Sequence, residues 1–294
     1  IRQIRRCTVS GGVRMLSKLM YHEFKATRRV FFPAYGIMLA LAVISSVFMI
    51  LSSNLQRLAV PLALLLLAYV LSLFAVGVLS FVYMIVRFYK NLLGDEGYLM
   101  FTLPATPAQL IWSKCLVSTI WMVVSSILCI VTLGILLIPL MLGTISTADA
   151  SFWNTIHLGF QYIAQTCGIH AITFPILFVI LGIVYIANSC MHIYACLSIG
   201  GLFNKHRLGA AIGAYIAFAI VWNIISSLLL YWGGNLANML HLDSSTFYDP
   251  MQTILNGMGG AYLFLIGWII VTILCLLVNF LITNYILKRH LNLQ

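Results

Sequence analysis

Charge is what this sequence has least of. Its 294 residues include 16 Lys and Arg and 6 Asp and Glu, so charged residues make up 7% of the chain against 62% apolar ones. Soluble domains carry about 25% charged and about 45–50% apolar residues, and so a water-soluble globular fold is excluded. The charges that exist are clustered. Between the clusters lie uncharged runs at 30–56, 58–86, 115–148, 150–204, 208–242 and 250–287. Each is long enough to cross a bilayer, because about 20 apolar residues at ~1.5 Å rise span the hydrocarbon. The ten-residue alternation of a membrane barrel is missing. Helices are then the remaining way to satisfy the backbone in lipid. The expected fold is an all-α polytopic membrane protein with six transmembrane helices.

Other absences exclude chemistry. No Asp, Glu, Lys or Arg falls in the middle of a span, which leaves a proton- or ion-driven relay without its usual groups. HExxH, a paired catalytic Asp and the P-loop pattern GxxxxGK[ST] are all missing. The chain is therefore expected to be no enzyme, to hold no cofactor and to draw any energy from another protein. None of the seven cysteines forms a CxxC pair, and most lie in apolar runs, where they read as small buried hydrophobes. Cys190, His192 and Cys196 are close in sequence, yet 190 and 192 point to different sides of a helix, which argues against a metal site. A net charge of +10 raises nucleic acid as a partner. No basic face stands outside the short loops, however, and such an excess is normal for the cytoplasmic loops of a membrane protein.

The start of the chain differs from the rest. Residues 1–14 contain no apolar core of signal-peptide length. The first Met is Met15, and Gly11-Gly12 fits a translated ribosome-binding run ahead of it, so 1–14 is expected to be a non-native or disordered extension. From Met15 the segment 15–29 reads as an amphipathic helix. Lys18, His22, Lys25 and Arg29 form one stripe, and Leu16, Leu19, Met20 and Phe24 the other face. That pattern suits a helix in the membrane interface with its cations towards lipid headgroups, or a basic lead-in to the first span. Glu23 falls on the apolar face and needs a basic partner from another segment.

Spans are expected near 31–52, 60–84, 116–138, 171–197, 208–231 and 261–286. Pro33 and Pro61 lie at span entrances and Pro139 at an exit; Pro175 lies inside the fourth span. The stretch from 151, too polar for a good span, reads as an interfacial helix with Trp153 and Tyr162 at headgroup level. With both termini cytoplasmic, Lys18, Lys25, Arg28, Arg29, Arg87, Lys90, Lys114, Lys205, Arg207, Lys288 and Arg289 face the cytoplasm and Arg57 faces out, a strong positive-inside bias. Gly209, Gly213 and Ala217 form a small-residue stripe suited to close helix approach, either within the chain or between two copies.

The segment between the second and third spans, RFYKNLLGDEGYLMFTLPATPAQLIWSK from Arg87 to Lys114, is longer and less polar than a plain connection. It reads as a short helix along the membrane surface, ended by Pro104 and Pro107, that could dock into a groove on a soluble partner. Its run Glu96-Gly97-Tyr98-Leu99, then Leu103-Pro104, Thr106-Pro107, Gln109-Leu110 and Lys114, resembles the E-G-T-L…L…TP…E-L…G-K pattern of ABC-2-type permeases, the six-span subunits of ABC exporters. Tyr98, Gln109 and Ser113 depart from the usual Thr, Glu and Gly. The resemblance implies a separate P-loop ATPase that binds ATP, a second permease chain (a homo- or heterodimer), and a segment 87–113 that passes the ATPase's motion to the spans. By carry-over, Arg87, Lys90, Asp95, Glu96, Gly97 and Tyr98 form the ATPase interface, with Glu96 as the main polar contact. The dipole of a helix N-terminus offers another reason for Asp95 and Glu96.

Residues 232–260 fit an extracellular gate or re-entrant element of that family, or a plain loop. The resulting expectation is a bacterial cytoplasmic-membrane exporter subunit that moves an amphipathic or hydrophobic cargo such as a peptide, drug or lipid. Two competing readings are a stand-alone carrier or channel, and a membrane scaffold or sensor that recruits a soluble partner without transport.

Overall fold

A computed structural model describes residues 2–52, 59–90, 106–147, 154, 157–159, 161, 170–203, 206–239 and 250–289. Six long helices account for nearly all of them: α1 (Arg2–Ser52), α2 (Ala59–Phe88), α3 (Pro107–Thr147), α4 (His170–Gly200), α5 (Arg207–Met239) and α6 (Pro250–Arg289). There is no strand among the described residues. Each helix contains one stretch long and apolar enough to cross a membrane: Ser17–Ser52, Val60–Phe88, Pro107–Pro139, Ile172–Gly200, Arg207–Leu229 and Phe264–Lys288. The chain is an all-α, multi-pass membrane protein, as its hydropathy demands.

Four boundaries differ from the sequence reading. The segment 15–29 is not a separate helix. It is the leading part of α1, which runs unbroken through Arg29 and Pro33 and also takes in residues 2–14. Nothing between Met15 and Phe32 is a Gly or Pro, and Pro33 removes a single backbone bond, so the helix continues. Pro107 does not end a surface helix; it opens α3, where a missing N–H is harmless. Pro139 marks the end of the apolar stretch, but α3 goes on to Thr147. Of the expected extracellular region, 232–239 extends α5 and 250–260 begins α6, so all five of its glycines are helical. Trp153, Tyr162 and residues 240–249 lie outside the described residues.

The chain divides into two compact units. The first, within Ile1–Ser151, holds α1, α2 and α3. Its axis is α1, which packs along both α3 and α2. The buried stripe of α1 is Glu23, Thr27, Phe31, Tyr35, Met38 and Ala42, spaced by three or four residues as one helix face requires. Tyr69 and Val76 of α2 and Val117 and Trp121 of α3 complete the core. Apolar side chains on the outside, such as Phe74 at 72% exposure, suit contact with lipid. Helices in lipid gain no hydrophobic drive towards one another, so packing and interhelical hydrogen bonds hold them. Tyr35 Oη meets Ser125 Oγ at 2.6 Å, Ser80 Oγ meets the same hydroxyl at 3.1 Å, and Tyr69 donates to Thr132 Oγ1 at 3.0 Å. Each such bond contributes about 0.6 kcal/mol.

The second unit, within Phe152–Asn292, is built on α4, which packs on α6 and α5. Asn279 Nδ2 donates to Asn188 Oδ1 at 3.3 Å across α6 and α4, and Thr173 bonds to the Tyr262 hydroxyl. His192 packs edge-on against Tyr215 and Phe218 of α5. The cysteines with described side chains are all unbridged.

Close approach within this unit occurs at Gly200, not along the Gly209, Gly213, Ala217 stripe. A Cβ on Gly200 would lie 2.6 Å from the Arg207 carbonyl oxygen and 2.7 Å from Ala211 Cβ. A Cβ on Gly213 would meet nothing within 4 Å, and all three stripe residues are exposed. The stripe lies on the wrong side of α5: Gly209 and Gly213 are each two residues from Ala211, about 200° around the helix. Gly200→Val should therefore destabilise the protein by about 1–3 kcal/mol through overpacking. Gly213→Ala should stay within about 0.5 kcal/mol of wild type. Unfolding by SDS in mixed micelles measures both.

Candidate functional site

Glu23 is the single acidic residue among the described ones, and it is buried. Its carboxylate takes two cations from two other helices. Lys114 Nζ donates to Oε1 at 2.8 Å, and Arg87 Nε donates to Oε2. The side chains of Glu23 and Lys114 are 8% and 4% exposed, that of Arg87 21%. Arg87 also donates from Nη1 to the Tyr83 hydroxyl at 3.0 Å and stands 5.9 Å from the centre of that ring.

The elements explain the meeting. Arg87 is the penultimate residue of α2, and Lys114 lies two turns into α3. They therefore bracket the stretch that carries the family-like run. Glu23, on the packed face of α1, grips both ends of it. Asp95, Glu96, Gly97 and Tyr98 lie outside the described residues. Lys90 is exposed just beyond α2. Arg87, expected at a partner interface, is engaged within the chain by Glu23 and Tyr83. Lys18, Lys25 and Arg29 are exposed.

A second joint lies one turn further along α1. The indole of Trp121 on α3 stacks on Phe24 at 4.8 Å and 14° and on Phe31 at 4.6 Å and 11°. Phe24 and Phe31 are seven residues apart, about 10.5 Å along a helix, so the indole fits between the rings. Its Nε1–H donates to Thr27 Oγ1 at 2.8 Å, and Thr27 in turn donates to the Glu23 carbonyl at 2.9 Å. The same strip of α1 thus holds the ion pairs and the aromatic joint.

The start of α3 is fixed by its own sequence. Thr106 N–H donates to Gln109 Oε1 at 3.0 Å, and Gln109 N–H reaches back to Thr106 Oγ1 at 3.4 Å. With Pro107 as first helical residue, Thr106-Pro107-Ala108-Gln109 is a capping box. This gives a physical reason for part of the family-like run: the Thr-Pro and the Gln serve the helix start. Thr106→Ala should cost about 1 kcal/mol, read as faster amide hydrogen exchange at Gln109 and Leu110.

Sequence reasoning missed Lys114 and Trp121 as site residues. Glu23 on an apolar face was the available signal for Lys114, since a buried carboxylate needs a buried cation. No three His, Cys, Asp or Glu among the described residues come together as a metal site. No protein-family model, curated protein or solved structure matches the chain.

Proposed function

We propose that this chain is the permease subunit of an ATP-driven exporter of the ABC-2 type in a bacterial cytoplasmic membrane. A separate P-loop ATPase docks on the 87–113 segment, and two permease chains form the pathway. The cargo is amphipathic or hydrophobic, in keeping with spans that carry few polar groups. The observation that carries the reading is the grip of Glu23 on Arg87 and Lys114 at the two ends of the family-like segment. A loop that merely joins two spans has no need of a buried carboxylate that ties its two ends together. A segment that receives a push from a partner does, because the push must reach the helices.

Within this reading Glu96 makes the main polar contact with the ATPase, and Asp95, Gly97 and Tyr98 flank it. Exposed Lys90 adds a cation at the start of the segment. The basic residues Lys18, Lys25 and Arg29 face anionic lipid at the cytoplasmic surface.

The test is a pull-down of the tagged chain from native membranes in mild detergent, with mass spectrometry of its partners. A P-loop ATPase in near-stoichiometric amount is the expected result. Recovery of intact chain without one overturns the reading in favour of a carrier or scaffold. With the ATPase in hand, Glu96→Ala should leave the fold intact and weaken coupling of hydrolysis to transport. Unchanged coupling rejects the role given to Glu96.

A further inference from the structure

We infer that Glu23 is a positioning residue that makes α1, α2 and α3 move as one lever when the segment between α2 and α3 is loaded. The inference rests on the permease reading and adds the route by which force leaves that segment.

Three observations carry it. First, one carboxylate on α1 holds the last turn of α2 and the first turns of α3 together, through Arg87 and Lys114. Second, the three helices are tied again at further levels along their length. Trp121 joins α3 to α1 at Thr27; Tyr35, Ser125 and Ser80 join all three; Tyr69 and Thr132 join α2 to α3. A displacement delivered at Glu23 therefore meets ties between the helices at three further levels along the unit. Third, stability alone is a poor reason for the ion pairs. Buried charges give up their hydration, and apolar side chains of similar volume commonly hold helices as well or better. What a carboxylate with two fixed partners adds is direction: it sets how α2 and α3 are rotated about α1 and resists their separation.

The experiment uses the full chain with its co-purified ATPase in lipid nanodiscs. Spin labels at exposed Lys25 on α1 and Leu208 on α5 report the distance between them without nucleotide and after trapping with ATP and vanadate. Wild type is expected to show a shift between the two states. Glu23→Gln and Lys114→Met should shrink that shift at least threefold while ATP hydrolysis stays within twofold of wild type. Lys114→Met keeps the Arg87 pair and so guards against a variant that fails to fold. Lys114→Arg, which can still pair with Glu23, should keep at least half of the shift, which a loss tied to the exact shape of the lysine would not allow.

A full shift in Glu23→Gln or Lys114→Met, or none in wild type bound to its ATPase, overturns the lever. If wild type brings down no ATPase, the permease reading falls separately. Amide exchange over 84–90 and 107–114 in the chain alone then decides whether the grip exists. At least tenfold faster exchange in Glu23→Gln supports it, and unchanged exchange overturns it.

Discussion

Trp121→Ala should destabilise the protein by about 3–5 kcal/mol, the usual cost of emptying a buried tryptophan site. The indole is 4% exposed and lies between two phenylalanine rings. Its removal opens a cavity between α1 and α3, and Phe24 and Phe31 belong to one helix and cannot close it by sliding together. In lipid the transfer part of this cost is smaller than in water, but the lost van der Waals contacts are the same, and contacts are what holds such helices. Trp121→Phe is the informative partner variant. It keeps a ring in the stack and gives up the bond to Thr27, for a loss of about 1 kcal/mol. Unfolding of both variants by SDS in mixed micelles checks the pair of values, and equal losses would mean that the stack contributes nothing.

Glu23→Leu should have an effect of similar size, about 3–5 kcal/mol, for a different reason. The new side chain fits the packed face well. The harm comes from Lys114, 4% exposed and deprived of its carboxylate. Arg87, at 21% exposure, can turn its charge towards water. Adding Lys114→Met to Glu23→Leu should therefore recover most of the loss, because an apolar pair replaces a buried ion pair at little cost. Failure of the double variant to recover would show that the ion pairs themselves hold the unit together.

Much of the fold was legible in the sequence because lipid leaves few choices. Charges cannot sit in hydrocarbon, so the runs between clusters had to be spans, and each expected span lies within one observed helix. The need of Glu23 for a cation was legible too, since its neighbours on the helix face are apolar. The identity of that cation was not. Arg87 and Lys114 lie 64 and 91 residues away, and no local pattern sets the rotation of one helix against another. The break expected near Arg29 failed because composition changes there while the backbone has no reason to stop. Gly209 and Gly213 have the right spacing for close approach, but a missing side chain permits contact without attracting it; the contact fell to Gly200. The glycines of 232–239 and 250–260 suggested a loop, yet transmembrane helices carry glycine freely. The capping box at Thr106 and Gln109 has the expected three-residue spacing, but the prolines on either side of Thr106 suggested a helix end there instead of a start.

That box also constrains how the gene can change. Thr106 fixes where α3 begins, and Lys114 must face Glu23. Each residue inserted or deleted between them would turn one against the other by about 100° and shift it by about 1.5 Å along the axis. A single-codon insertion there would keep every hydrophobic residue and every charge of the chain, and composition would barely register it. It would nonetheless throw the helix start out of phase with the ion pair, so codon insertions and deletions between Pro107 and Lys114 should be selected against far more strongly than most substitutions at the same positions.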